Sequence, residues 1–480
     1  MPRHATASTP ADLLGAAGTR RLEQRVREGL RRARARGAAA VISITEPIAS
    51  AGDPSALVAA SRQPGEPWFC FEQPDRHGFA LAALGCVREL KAGGPDRFEQ
   101  VAAGWRALVS QAWTDAPDGP PGSGLVGLGG FAFAPQGGAS PGWKGFEPAS
   151  LIVPELSLAR SSGATWITVN AEISPDDTPA DVLVRVGRRL GSLRRAPLPL
   201  HDPSPTGRYD VVSPMPPAHY EEAVARAVSR IRAGELSKIV LAREVEVHAP
   251  QAHDPAAVFA LLRDAFSSCF VFAVGRGDAT FIGASPELLI RKEGQRASTV
   301  ALAGSIRRSA DPAVDDHLGE QLLRSDKDRN ENEIVANRIA RALRPHAIWV
   351  TTAPEPGLVR VANIQHLARP IRAQLASSLG AIELAGLLHP TPAVGAEPED
   401  PGLGLIPALE GFDRGWYAAP VGFADARGDG EFCVALRCAL LRGRVARCYA
   451  GCGIVRDSEP QAELAESEVK LQVMLPLLAG

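Results

Sequence analysis

The chain has no apolar run approaching the roughly 18 residues that cross a bilayer as a helix. Its apolar runs, such as 269–274 and 239–242, are strand-sized, so no helical membrane span is expected. The first twenty residues lack a basic segment followed by an apolar core, which predicts a cytoplasmic protein without a secretory signal. The seven cysteines are odd in number and contain no C-x-x-C pair, so neither a disulfide framework nor a zinc site is expected, and the thiols read as inert and buried. Charge of one sign is lacking too: 52 basic residues face 54 acidic ones, for a net charge of -2. That balance removes any global electrostatic argument for nucleic acid and points to a small partner. Lysine is scarce beside arginine. Only Lys91, Lys144, Lys238, Lys292, Lys327 and Lys470 stand against a background of arginine. A lysine kept in such a background is either chance or a group that has to give up its proton near neutral pH, which a guanidinium cannot do.

What is present describes a globular protein, with 45% hydrophobic and 22% charged residues over 480 positions, enough for one to three domains. Residues 20–36 place Leu22, Val26 and Leu30 four apart among eight arginines and predict an amphipathic helix with a solvated basic face, followed by a strand over 38–49. The Gly- and Pro-rich stretch 118–146, with Gly-Leu-Gly-Gly at 127–130, lacks the spacing of a phosphate loop and reads as turns and closely packed backbone. Prolines 197, 199, 203 and 205 mark the best internal boundary. Beyond it come a helix over 219–233 ending at Gly234 and strands over 238–247, 270–274, 280–282, 431–441 and 445–450. Helical patterns cover 315–343 and 460–475, and this uneven alternation favours a mixed α+β architecture.

Several side chains stand where local pattern does not ask for them. The helix opening near Ser325 starts Asp-x-Asp-x-Asn, but Glu331 and Asn337 occupy the positions where a calcium loop needs Gly and Glu. Glu331 lies along the apolar stripe of Ile334, Val335 and Ile339, so its carboxylate is expected to point inward and to need a cation, an arginine or a proton. That is either a structural ion pair or a functional site. A second helix, with Pro460 near its first turn, carries Glu463, Glu466 and Lys470 on the face of Val469, Val473 and Leu477. Glu466 and Lys470 alone would be a surface i,i+4 pair, but two inward glutamates on two helices suit Mg²⁺ better than zinc. Ser285 in Gly-Ala-Ser-Pro-Glu (283–287) lacks the second glycine of a nucleophile elbow and reads as a turn residue. Arg437 sits in an apolar run read as strand, placed to fork onto a carboxylate, and the glycines of Tyr-Ala-Gly-Cys-Gly (449–453) let backbone N–H groups approach an anion.

Together these segments resemble the chorismate-utilising enzymes, and specifically the isochorismate synthases of menaquinone and siderophore pathways. The matching runs are Ser-Lys-Ile-Val-Leu-Ala-Arg (237–243), Gly-Ala-Ser-Pro-Glu-Leu-Leu (283–289), Ala-Leu-Ala-Gly-Ser (301–305) and Ser-Asp-Lys-Asp-Arg-Asn-Glu-Asn-Glu-Ile-Val (325–335). Gln-His-Leu-Ala (365–368), Leu-His-Pro-Thr-Pro-Ala-Val-Gly (388–395), Gly-Glu-Phe-Cys-Val-Ala-Leu-Arg (430–437) and Ala-Gly-Cys-Gly-Ile-Val (450–455) follow in family order. The first 200 residues match loosely, best at Gly-Gly-Phe-Ala-Phe (129–133). The resemblance implies one large α+β domain of two similar antiparallel sheets flanked by helices. Residues 1–200 would form its N-terminal part and 206–480 its chorismate-binding catalytic region.

The resemblance further implies that Lys238 is the general base that takes a proton from water attacking C2 of chorismate, and Glu287 the general acid that protonates the departing C4 hydroxyl. It implies Mg²⁺ on Glu331 and Glu466 with Glu463 in support. Arg437, Tyr449, the Gly451 backbone and Lys470 would receive the enolpyruvyl carboxylate, Gly304 and Ser305 would line the ring-carboxylate side, and His366 would belong to the pocket. Ala303, where aminodeoxychorismate synthases carry Lys, and Lys238, where anthranilate synthases carry Gln, argue for water over ammonia, so no glutaminase subunit is implied. Salicylate synthases share the Lys and stand as the alternative; they lack the Leu-His-Pro-Thr-Pro run. The implied enzyme is a monomer that converts chorismate and isochorismate reversibly. Ala396, Ala419 and Cys452 replace smaller residues usual in the family and are expected to add bulk near the pocket wall or its supporting turns; Asn332 and Arg369 stand at positions that vary among isochorismate synthases.

Overall fold

The computed structural model describes residues 10–48, 52–115, 117–202 and 207–479. Two antiparallel sheets, of twelve and ten strands, face each other across an apolar core and are flanked by helices. Each sheet is assembled from both ends of the sequence. In the larger, Gly65–Gln73 pairs with Phe270–Gly277 in the register Phe71↔Phe272, and Ala279–Ser285 pairs with Cys438–Arg442. In the smaller, Val126–Phe131 pairs with Pro420–Asp425, Gly129 opposite Gly422. The core between the sheets is aromatic, with the Phe71 ring near Phe79, Phe270 and Phe423.

The first helix, Pro10–Arg36, buries Leu22, Val26 and Leu30 as their spacing requires, and Arg25 and Arg32 lie over the Trp113 ring. The strand after it runs Ala40–Ile48; residue 49, and Pro203 and Pro205 of the proline-rich boundary, lie outside the described residues. The Gly-Leu-Gly-Gly segment is strand (Val126–Phe131), not turn. A β-carbon on Gly129 would overlap the Ser150 carbonyl, and one on Gly130 would come 2.7 Å from the Pro420 carbonyl, so the glycines serve close strand approach. Among the described residues no helix is long and apolar enough to cross a membrane.

Two chain crossings between the sheets position the site. Ala279–Ser285 belongs to the larger sheet and, two residues on, Leu288–Glu293 belongs to the smaller. Gly430–Val434 makes the reverse crossing to Cys438–Arg442. The expected single strand over 431–441 is therefore broken, and Arg437 stands outside it in the left-handed region at φ 48. The break exists because the chain has to leave one sheet for the other, and an unbroken pleat stays in its own plane. Ser285 holds the first crossing as a turn residue: its hydroxyl donates to the Val434 carbonyl at 2.5 Å and accepts from the Glu287 N–H at 3.2 Å.

Candidate active site

A polar cavity of about 700 Å³ opens at the seam of the two sheets, beneath the helices Asp326–Leu343 and Pro460–Leu471. Glu287, Gly304, Ser305, Glu331 and His366 line it, as do Arg437, Gly451, Glu466 and Lys470. Lys238, the first residue of the strand Lys238–His248, lies fully buried behind Gly453, with its Nζ 2.8 Å from Glu331 Oε1. Gly453 makes that pair possible. It faces Val240 across the strand pair, and a β-carbon on it would overlap Glu331 Oε1 and lie 2.9 Å from Lys238 Cε.

Glu331 comes from a helix whose first turn is capped by Ser325, whose hydroxyl accepts the Asp328 N–H at 3.3 Å. The second carboxylate, Glu466, accepts from the Ser305 hydroxyl and the Lys470 ammonium, each at 2.8 Å. Burial opposes its charge, but Lys470, Ser305 and Lys327 outweigh that and hold the carboxyl at about 2. Glu463 accepts from Lys327 Nζ at 3.0 Å, and burial together with Glu466 raises its carboxyl. Each of the three glutamates thus has a lysine as partner.

This donor set fits a hard dication. Glu331 and Glu466 present carboxylate oxygens to one cavity, and the charges now facing those oxygens are ammonium groups, the position a metal ion would contest. Glu463 and Glu466 offer oxygens within 4.8 Å of each other, with Cys452 Sγ in the same group. Two or three carboxylates without imidazole suit Mg²⁺, which keeps part of its water shell. Glu463, committed to Lys327 and absent from the cavity wall, is placed to support rather than to lead.

On the opposite wall Glu287 is 4% exposed, and burial pushes its carboxyl up to about 8 against the pull of Lys238, Arg437 and Lys470. Arg437 is buried too. One of its NH₂ groups donates to His366 Nε2 at 3.3 Å, its Nε has no partner, and no carboxylate pairs with it among the described residues. An unpaired buried guanidinium is expensive and asks for an anion. The His366 ring is held neutral, its pKa lowered to about 3 by burial and by Arg437 and Lys470. Gly304 at φ 82 bulges the strand Arg296–Arg307 where it faces His366, and a β-carbon there would come 2.9 Å from Asp328 Cβ.

Two of the expected carboxylate contacts are placed differently from the others. Tyr449 does not reach the cavity, because Tyr417 stands in front of it, stacked on its ring at 5.2 Å with its hydroxyl 3.0 Å from where a β-carbon of Gly451 would sit. Lys470 lines the cavity, but its ammonium is spent on Glu466 and on the Gly451 carbonyl at 2.8 Å, which leaves Arg437 as the cation open to an anion. Ala396, Ala419 and Cys452 are buried but do not line the cavity; Cys452 points its thiol to the Glu463 carbonyl. Sequence reasoning missed three polar lining residues, Tyr417, Lys327 and Asp328, besides the apolar and glycine wall. The signals existed: Asp328 stands one turn before Glu331, Lys327 is one of the scarce lysines, and Tyr417 lies in an aromatic run, Gly-Trp-Tyr, closed by Pro420.

Comparison with known proteins agrees with this geometry. Residues 28–479 match the model of the family described as chorismate binding enzyme. The salicylate biosynthesis isochorismate synthase of Pseudomonas aeruginosa is 38% identical over 431 residues, 89% of this chain and 88% of that protein. Isochorismate synthase MenF of Bacillus subtilis is 34% identical over 74% of this chain and 75% of its own. The solved structure of MenF, the menaquinone-specific isochorismate synthase from Escherichia coli, superposes with a TM-score of 0.75 at 27% identity, covering 95% of this chain and 99% of that one. Anthranilate synthase component I from Streptococcus pneumoniae, at 19% identity and a TM-score of 0.64, shares the fold.

Proposed function

The chain belongs to the chorismate-binding enzymes, and from that membership we propose that it is an isochorismate synthase, an isomerase that moves the ring hydroxyl of chorismate from C4 to C2. The observation that carries the reading is one cavity lined by both a buried carboxyl, Glu287, which burial favours in its acid form, and a buried guanidinium without a carboxylate partner among the described residues, Arg437. Arg437, oriented by His366, takes a substrate carboxylate. Lys238 in its amine form, its ammonium proton having gone to solvent, accepts the proton of the water that adds at C2, and Glu287 in its acid form delivers its proton to the C4 hydroxyl, which departs as water. Electrons shift through the ring's double bonds between the two centres, so one water enters and one leaves, and the reverse reaction exchanges the roles of base and acid. Mg²⁺ on Glu331 and Glu466, supported by Glu463, would neutralise the substrate's second carboxylate. Ser305 fixes the Glu466 carboxylate, and Gly304 lets the strand approach the ring.

The test is product analysis by NMR on purified protein with chorismate, with and without Mg²⁺ and with ammonium as a control. Mg²⁺-dependent, partial conversion to isochorismate is expected. Salicylate with pyruvate would move the enzyme to the salicylate synthase branch; the Pseudomonas relative, named an isochorismate synthase of salicylate biosynthesis, supports isochorismate as the product. Anthranilate in the presence of ammonium would overturn the role given to Lys238. The menaquinone-specific Escherichia coli enzyme supports a menaquinone route as one destination of the product, and the resemblance implies a siderophore route as another.

A further inference from the structure

The strand that begins with Lys238 has an incomplete outer edge. Val445–Ile454 covers one side along its length. On the other, Ala396–Glu397 covers Lys238 and Ile239, and Asp210–Val212 covers Glu246 to His248. Between these, residues 240–245 have no neighbouring strand among the described residues. The Val240 N–H donates to the Gly395 carbonyl at 2.8 Å, and the rest of the opening is filled by side chains. Glu410 Oε1 accepts the Ala242 N–H at 2.7 Å, and Arg414 donates to the Val240 carbonyl at 3.0 Å. A carboxylate and a guanidinium thus offer the acceptor and donor that a paired strand would have offered.

The two groups are bound to each other as well, Arg414 Nε to Glu410 Oε2 at 3.0 Å, and both side chains are almost wholly buried, at 3% and 1% exposure. Arg414 reaches further. It donates to the Val394 carbonyl at 2.8 Å, and its guanidinium lies 4.2 Å from the Phe133 ring and 5.7 Å from the Tyr417 ring. Val240, Val394 and Tyr417 are all cavity wall. A buried ion pair is a poor way to gain stability, since desolvation absorbs most of its attraction. This one ties together the strand of the base, the turn that carries Val394, and the tyrosine in front of Gly451.

We infer that Glu410 and Arg414 form a positioning pair, which sets the placement of the Lys238 strand against Val394 and Tyr417 and so governs turnover without touching substrate. The inference rests on the isochorismate synthase reading for its assay. Arg414→Lys keeps the charge, but one ammonium cannot span Glu410 and two carbonyls. Glu410→Gln keeps an oxygen for the Ala242 N–H and removes the charge, and is the milder change should the lysine variant fail to fold. In protein that melts cooperatively and is assayed well below its melting temperature, kcat of Arg414→Lys is expected to fall about tenfold to a hundredfold, as misplacement by an ångström does. Glu410→Gln is expected to lose roughly threefold to tenfold by a smaller displacement. Wild-type kcat in either folded variant, with only the melting temperature lowered, would reduce the pair to a structural brace and overturn the inference. A wild-type protein that makes no isochorismate would instead defeat the functional reading, and calorimetric titration with chorismate then decides: binding at least about tenfold weaker in Arg414→Lys keeps the inference, and equal binding ends it.

Discussion

Glu287 and Arg437 occupy matching places in two opposed chain crossings. Each lies where a strand of one sheet hands over to a strand of the other, and each uses its backbone carbonyl to hold the opposite crossing, Glu287 accepting the Val434 N–H at 3.0 Å and Arg437 the Ala284 N–H at 3.1 Å. The presumptive acid and the anion-binding cation are therefore fixed by one reciprocal backbone contact rather than by flexible loops, which is how a cavity group stays desolvated and in place.

Glu287→Gln removes the transferable proton while keeping shape and hydrogen bonding. Its turnover is expected to fall by about 10²–10⁴, as is that of Lys238→Ala. Steady-state kinetics with a chromatographic product assay checks both, and near wild-type kcat in either would remove that residue from the proton transfers.

The pH dependence follows from the same carboxyl. Folded, Glu287 keeps its proton to about 8; unfolded, it loses it near 4.5. The native chain binds more protons between those values, so its stability is complete below 4.5 and declines as pH rises to 8, by roughly 4 kcal/mol in all from this group. Urea unfolding at pH 6 and pH 9 should show the decline and show it flattened in Glu287→Gln. The forward rate should fall on the alkaline side of about 8 as the acid is lost.

The histidines act in the other direction. His366 and His389 are buried neutral, with pKa values near 3 against 6.5 in the unfolded chain. Between 6.5 and 3 the unfolded state binds more protons, so stability falls as pH falls, each ring contributing a slope of up to about 1.4 kcal/mol per pH unit. His389, whose Nε2 lies 3.1 Å from the Phe133 carbonyl, is the safer one to change. His389→Gln should shift the acid midpoint of unfolding, followed by far-UV circular dichroism, to lower pH.

Tyr417 and Tyr449 separate the structural account from the sequence-based one. Tyr417→Phe removes a hydroxyl beside Gly451 and should raise KM for chorismate by roughly tenfold, the value of one hydrogen bond to a charged group. Tyr449→Phe should change KM by less than about twofold, because its hydroxyl faces Glu244 and its ring lies behind that of Tyr417.

Gly453→Ala tests the approach of Lys238 to Glu331. The added carbon overlaps the carboxylate that Lys238 and a metal would share, so both kcat and Mg²⁺ affinity should fall, each by at least about tenfold. Calorimetry with Mg²⁺ alone provides the reading that is independent of turnover.

Part of the site was legible because its groups break local rules, whereas Gly304, Ser305 and His366 and the roles of Lys238 and Glu287 came from the resemblance alone. Glu331, Glu463, Glu466 and Lys470 are charged residues on the apolar stripes of helices, and Lys238 opens a strand in a chain that avoids lysine. The crossings were not legible. The run 431–441 alternates and stays apolar through 435 and 436, and period-two patterning reports burial but not the sheet in which a residue is buried. The resemblance implies Tyr449, and nothing in the order of residues says that the Tyr417 ring would stack in front of it.

The assembly of each sheet from distant segments sets a timetable for folding. The strand Gly65–Gln73 waits for Phe270–Gly277, some two hundred residues later, and Ala279–Ser285 waits for Cys438–Arg442 near the far end of the chain. Loops of that length close slowly. During synthesis the early strands emerge with open edges and apolar faces before their partners at 270–277 and 438–442 have been made. The nascent polypeptide therefore has to be shielded until those later strands have left the ribosome.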